Sequence, residues 1–224
     1  SISLDMSDVE WFDANMCACL GALLSKASRN LNNVTVVNAP KDVKNILSKN
    51  GFLGNYGFPA VLDTWGTTIP YKRFAPKDDH AFALYIHRHL RGHGMPKMSA
   101  ALQKKFMESI FEIFSNAVIH SGTKQGIYSC GQYFHKSNKL DFSTADLGIG
   151  IRESILTKKS LDLSAKEAIE WAIAGANTTK TGSVPGGLGL KLLKEFVGLN
   201  GGRLILVSDR GFWEMRGKVI TSRS

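Results

Sequence analysis

The sequence predicts an α/β protein in which a small strand–helix–strand–helix unit precedes a two-layer α/β sandwich with a mixed sheet. In the first 50 residues, β-branched runs alternate with helical patterns, which implies parallel strand pairing. Further along, a long amphipathic helix pattern precedes paired strand patterns, which implies helices packed on a partly antiparallel sheet. We place the boundary near residue 70, so that the two expected domains span residues 1–70 and 71–224.

In the first domain, strands are expected at residues 2–5 and 34–38, where β-branched side chains cluster. Asp13 is expected to cap the helix between them. Pro40 is expected to open a second helix, which Gly51 ends.

Residues 54–79 are rich in Gly, Pro and aromatic residues without a clear period, so we expect a linker or packed loop there. The elements expected in the second domain are a helix from Ser99 to His120, strands over 126–134 and 139–147, helices over 164–174 and 188–199, and two closing strands.

The composition is ordinary for a soluble globular protein, with 43% hydrophobic and 21% charged residues. No apolar run approaches the roughly 18 residues of a membrane helix, so no membrane association is expected. Cys17, Cys19 and Cys130 form no Cys-x-x-Cys pair, which favours a reduced, cytoplasmic compartment. Cys17 and Cys19 are expected to be buried thiols. The chain begins at Ser1 without an initiator Met, so a fragment of a longer protein is one expectation.

The net charge of +9 is uneven, because residues 1–70 have a net charge of −1 and residues 71–224 a net charge of +10. A basic half is typical of proteins that bind nucleic acid, an acidic partner or a phosphate ligand. The cations here are scattered, which makes nucleic acid the least favoured of the three. Four histidines between residues 80 and 93 follow no metal-ligand spacing, and a basic surface helix is expected there.

The first motif whose side chains could bind a ligand or take part in a reaction lies on the long helix. Glu112 and Asn116 are four residues apart and therefore lie on one stripe of it. A carboxylate beside an amide oxygen suits a hydrated Mg²⁺ and a polarised water. A solvated polar face would give the same pattern.

Two glycine motifs follow. Asp146-Leu-Gly148-Ile-Gly150-Ile151 comes directly after a strand, where glycines allow close approach of a ligand and the carboxylate can accept a hydrogen bond from an amino group. Gly186-Gly187-Leu188-Gly189 opens a helix whose free N–H groups suit phosphate oxygens. A tight turn and a glycine hinge are the structural alternatives. No Walker-type loop is present.

With these motifs in this order, residues 99–221 resemble the GHKL (Bergerat-fold) ATPases, the superfamily of gyrase, histidine kinases and MutL. The stretch Glu112 to His120 is most similar to the serine kinases that act as anti-sigma factors. The resemblance implies a Mg·ATP site in which Glu112 is the general base, Asn116 coordinates Mg²⁺ and Asp146 accepts from the adenine amino group. It further implies ATP contacts by His120, Gly148, Gly150, Ile151, Thr179, Lys180, Gly186, Gly187, Leu188 and Gly189. Pro185 replaces the first glycine of the usual box, which puts the usual lid closure in doubt.

The N-terminal segment resembles a STAS domain, the fold of anti-sigma-factor antagonists, through Leu4-Asp5 and the stretch Val9 to Asn15 before an apolar helix. In those antagonists a serine at the start of this helix accepts phosphate. Here Asn15 stands at the matching position, so the kinase-and-antagonist switch is not expected inside this chain.

Three functions stay open at this point. The leading hypothesis is a Mg·ATP-dependent ATPase or protein kinase in a bacterial-type signalling protein, with a protein partner or phosphoacceptor. The second is a non-catalytic ATP-sensing module whose lid state controls partner binding. The third is an ATP-clamped nucleic-acid-associated protein. Since relatives often dimerise, a homodimer is a further expected partner state.

Overall fold

The computed structural model describes residues 1–29, 33–90, 99–174 and 188–224, without the side chains of residues 119, 120 and 188. These ranges form a mixed α/β structure with seven α-helices and eight strands. The chain divides into two compact units that are interleaved in sequence. Unit 1 comprises Ser1–Lys97 with Gln125–Leu147, and unit 2 comprises Met98–Lys124 with Gly148–Ser224.

Unit 1 contains two sheets. The first is the parallel pair β1–β2, and the second has the order β3–β4–β5 and is antiparallel throughout. The predicted parallel strand–helix–strand unit is confirmed. The elements of unit 1 are β1 (Ile2–Asp5), α1 (Cys17–Ser28), β2 (Val34–Val37), α2 (Lys41–Lys49), β3 (Thr68–Phe74), α3 (Asp79–Leu90), β4 (Ile127–Phe134) and β5 (Lys139–Asp146).

The helix termini follow the predictions with one exception. Pro40 opens α2, and Gly51 follows its end with a φ of 80°, a left-handed conformation that favours glycine. Asp13 does not cap α1, because its carboxylate accepts a hydrogen bond from Trp11 Nε1 at 2.7 Å and a short 3-10 turn, Ala14–Met16, precedes the helix.

The expectation of an irregular stretch over residues 54–79 is wrong, since it contains strand β3 and the start of α3. Pro70 argues against a strand in the sequence, because proline is rare in central strands. Here β3 is an edge strand, and the register shifts between Ile69 and Lys72, so Pro70 lies in an irregularity that tolerates it.

Strand β4 is the centre of unit 1 and is buried along Ile127–Gln132. Tyr128 and Cys130 belong to one hydrophobic core with α1, whereas Phe74 of β3 packs against Phe82 of α3. The N-terminal segment therefore shares a core with a hairpin more than 100 residues later in the sequence. The spatial division thus differs from the predicted boundary near residue 70, which falls inside β3.

Unit 2 places helices against one antiparallel sheet of order β6–β7–β8. Ile169 and Ile173 pack with Trp213 and Met215 in its core. Its elements are α4 (Ala100–His120), α5 (Gly150–Lys159), α6 (Ala165–Ile173), α7 (Leu188–Leu199), β6 (Arg203–Ser208), β7 (Gly211–Arg216) and β8 (Val219–Arg223).

Three features of unit 2 differ from expectation. Three closing strands are present instead of two, and α5 begins inside the first glycine motif. A mixed sheet is expected for residues 71–224, but the β6–β7–β8 sheet is antiparallel, because its consecutive strands are joined by short turns, and the β3–β4–β5 sheet of unit 1 is antiparallel as well. None of the described helices has the length and apolar character that a bilayer crossing requires.

The thiols provide a test of the core of unit 1. Cys17 and Cys130 are buried, and burial raises the pKa of Cys17 to about 12 and the pKa of Cys130 above its usual range. The expectation that Cys19 is buried is wrong, since it is exposed.

We expect Ellman's reagent to modify Cys19 much faster than the two buried thiols in native protein, and all three at once in denaturant. A Cys19→Ser variant should lose the fast phase of this reaction. If the variant kept a fast phase, Cys17 or Cys130 would not be buried as described.

Candidate functional site

Helix α4 carries the two residues that the first motif singles out. Ser99 caps it by accepting a hydrogen bond from Leu102 N at 3.3 Å. Phe106, Ile110 and Phe114 are buried and fix its orientation in unit 2. Glu112 and Asn116, one turn apart, are both half-buried, so they do not form the fully solvated polar face that is the alternative interpretation.

The start of α7 lies directly against Glu112. A β-carbon added to Gly189 would lie 2.2 Å from Glu112 Oε2 and 2.6 Å from Glu112 Cβ, which is too close for atoms that are not bonded to each other. Further along, the rings of Phe106 and Phe196 are 4.4 Å apart between centroids. Because Phe106 precedes Glu112 whereas Phe196 follows Gly189, the two helices run antiparallel. Glycine at 189 is therefore required by the close approach of α7 to α4.

This contact brings a carboxylate beside the first turn of a helix. The first N–H groups of α7 have no intrahelical acceptor and form its positive end. One oxygen of Glu112, Oε1, is shielded from solvent. The arrangement places an acidic side chain beside the positive end of a helix, where N–H groups can attract an anion and the carboxylate can accept a proton.

The other glycine motif packs against the C-terminal end of α4. A β-carbon on Gly148 would lie 2.2 Å from the Ser121 carbonyl oxygen, and Ile149 N donates to that oxygen at 2.8 Å. Gly150 has a φ of 79°, and Ile151 N donates to Ser208 Oγ at 2.8 Å. The glycine loop is thereby fixed between α4 and the end of β6.

Ser121 and Ser208 accept the hydrogen bonds that hold this loop in place, and neither belongs to the sequence motifs. The Ser121 hydroxyl donates to the Ala117 carbonyl and accepts from Thr123 N. The sequence signals for both serines are weak: Ser121 precedes a glycine at a helix end, and Ser208 precedes a turn.

The remaining predicted site residues fall into three groups. Asp146 is exposed, ends β5 and belongs to unit 1, so its adenine contact stays a prediction from sequence. The Ile151 side chain packs on the core of unit 2. Thr179, Lys180, Gly186 and Gly187 lie outside the described residues, as do the side chains of His120 and Leu188.

The described ranges contain no cluster of three or more His, Cys, Asp or Glu residues suited to an ion. The pair Glu112 and Asn116 offers few oxygen ligands. Such a small donor set fits Mg²⁺, which commonly takes one or two protein ligands and completes its shell with phosphate and water.

Asn15, at the position of the antagonists' phosphorylated serine, is held by hydrogen bonds within unit 1. Its Nδ2 donates to Ser143 Oγ of β5 at 3.1 Å, and the Cys130 thiol lies 3.1 Å from the Asn15 carbonyl oxygen. The start of α1 is therefore fixed on the β4–β5 hairpin of its own chain.

Searches of protein-family models, curated proteins and solved structures found no match to this chain.

The helix contact can be tested with two glycines of α7. Gly189→Ala should lower the free energy of unfolding by about 1–3 kcal/mol, because its β-carbon overlaps Glu112. Gly198→Ala is the matched control: its β-carbon would meet Met215 Cε at 3.7 Å, an ordinary contact. Removing this helical glycine should stabilise by about 0.5–1 kcal/mol. Urea denaturation followed by circular dichroism measures both, and equal effects would argue against the contact.

Proposed function

We propose that unit 2 binds Mg·ATP along helix α4 and catalyses transfer of the γ-phosphoryl group to water or to a protein hydroxyl. One observation carries the proposal. Two glycine segments, distant in sequence, approach α4 so closely that no β-carbon fits at Gly148 or Gly189. Gly189 contacts Glu112 itself and Gly148 contacts Ser121, so Asn116 lies on the same helix between the two points of contact.

The binding step uses the first turn of α7. Its first N–H groups, which have no intrahelical acceptor, and its positive helix end attract phosphate oxygens. Asn116 would hold Mg²⁺ through its amide oxygen, with phosphate and water completing the shell. Bound there, Mg²⁺ would neutralise charge on the phosphates.

Glu112 would accept the proton in the chemical step. As the attacking oxygen forms its bond to the γ-phosphorus, the bond to the bridging oxygen breaks, ADP leaves, and the nucleophile's proton passes to the Glu112 carboxylate. Water as nucleophile gives an ATPase, and a protein hydroxyl gives a kinase. The contact between Glu112 and α7 supports this role, because it places the carboxylate beside the proposed phosphate site.

Asp146 is proposed to select adenine by accepting a hydrogen bond from its amino group. This part rests on its place directly after a strand and two residues before Gly148. Free cysteines support a cytoplasmic location, where ATP is available.

Glu112→Gln tests the chemical role, since it removes the base with little change of volume. We expect ATP affinity within a few-fold of wild type and turnover lowered by about 100-fold or more. The measurement follows γ-labelled ATP into free phosphate or into protein. Glu108→Gln, one turn earlier on α4 and 60% exposed, is the control and should turn over normally.

The outcomes separate the two leading functions. Equal turnover in wild type and Glu112→Gln would exclude the general-base role. Binding of ATP by the wild type without any transfer of label would instead favour the sensing module.

Asp146→Asn tests adenine recognition. Loss of a charge-assisted hydrogen bond should weaken ATP binding by about 1.5–3 kcal/mol, roughly 10- to 150-fold in Kd. Isothermal titration with ATP and GTP measures the change, and the affinity for GTP, which lacks the adenine amino group, should change less. An unchanged Kd for ATP would remove Asp146 from the site.

A further inference from the structure

The outer face of the β6–β7–β8 sheet, here called the arginine face, has no covering layer among the described elements of unit 2. Alternate residues of the three strands point to it, and the strand register aligns them in three rows across the sheet. Its members are Arg203, Ile205, Val207, Phe212, Glu214, Arg216, Val219, Thr221 and Arg223. The inner face carries the buried Trp213 and Met215 and packs on helices.

The arginine face combines exposed apolar surface with positive charge. Val207 is 68% exposed and Val219 69%, which is unusual for aliphatic side chains on a sheet. Apolar residues together with arginine and an aromatic are characteristic of protein–protein interfaces. This composition indicates a protein occupant in preference to a nucleic acid.

The charges of this face determine which kind of protein surface fits it. Arg203 pairs with Glu214 at 2.6 Å, and Arg223 lies over the Phe212 ring at 4.7 Å. The Arg216 side chain is exposed and has no hydrogen-bond or ion-pair partner within the described ranges. Three arginines and one glutamate give a net charge of +2. Two such faces would repel each other, and an acidic protein surface fits this face best.

The chain itself contains a surface of that kind. The stretch from Asp5 to Asp13, here called the acidic segment, holds four Asp/Glu residues and no Lys or Arg. Asp8 and Glu10 are exposed, and Trp11 is 68% exposed. Since Trp11 Nε1 already donates to Asp13, the faces of its indole ring are available for apolar and cation–π contact.

We propose that copies of this chain associate head to tail, with the acidic segment of one copy on the arginine face of another. The carboxylates of Asp8 and Glu10 would oppose the arginines, and Trp11 would stack on Arg216 and cover neighbouring aliphatic side chains. The contact is heterologous, so each added copy leaves one segment and one face open, and assembly either closes into a ring or extends.

The overall charge makes this proposal specific. A net charge of +9 makes two copies of the chain repel each other overall. They attract each other only where the acidic segment of one copy faces the arginine face of the other. Association should weaken as salt screens it, between about 50 mM and about 500 mM NaCl. It does not depend on ATP, so its failure and the failure of the nucleotide proposal are distinguishable.

Sedimentation velocity of the full chain over a range of concentrations tests the contact with two complementary variants. The face variant carries Arg216→Glu and Arg223→Glu, and the segment variant carries Asp8→Asn, Glu10→Gln and Trp11→Ala. Wild type should associate with rising concentration, and each variant alone should stay monomeric. An equal mixture should form a one-to-one dimer, because each variant retains the half that the other lacks.

A third variant, Lys136→Glu with Lys159→Glu, changes the net charge as the face variant does, at exposed positions outside both surfaces, and should associate like wild type. Circular dichroism checks that all variants fold. The proposal is overturned if wild type is monomeric throughout, or if the mixture of face and segment variants forms no dimer. Monomeric protein that binds a labelled oligothymidine through the arginine face would assign this surface to nucleic acid instead.

Discussion

In unit 2, both glycine motifs depend on how closely two stretches of backbone approach helix α4. At Gly148 and Gly189 the separation leaves no room for a β-carbon, and the atoms that would collide include a backbone carbonyl and the Cβ of Glu112. Neither can move without shifting α4 itself. The glycines therefore serve packing, and the contact at Gly189 sets the Glu112 carboxylate beside the first turn of α7.

Unit 1 depends on a different constraint, the burial of β4 on both faces. A strand with two buried faces needs a layer on each side. The N-terminal strand–helix segment supplies one layer and α3 the other. Because Tyr128 and Cys130 belong to the same core as α1, the first segment and the later hairpin stabilise each other. The STAS-like pattern in the sequence thus describes local elements, whereas the stable unit includes the β4–β5 hairpin.

The two proposals use opposite sides of one sheet. Helices α6 and α7 lie on its inner face, and α7 in turn contacts α4, where the nucleotide is proposed to bind. The arginine face lies on the outer side. This separation lets self-association and nucleotide binding be changed by different substitutions.

The sequence by itself determined the elements that have their own local pattern. Parallel β1 and β2, helix α2 between Pro40 and Gly51, the long helix after Ser99, and the β4–β5 hairpin were all readable from periodicity and terminal residues. It also singled out Glu112 and Gly189, which the structure brings into contact. Only the tertiary structure decided that β3 forms around Pro70, that α5 begins at Gly150, and that residues 125–147 join the N-terminal segment. The reason is physical: caps and hydrophobic periods act over a few neighbouring residues, whereas strand edges, shared cores and close backbone contacts arise from residues that folding brings together.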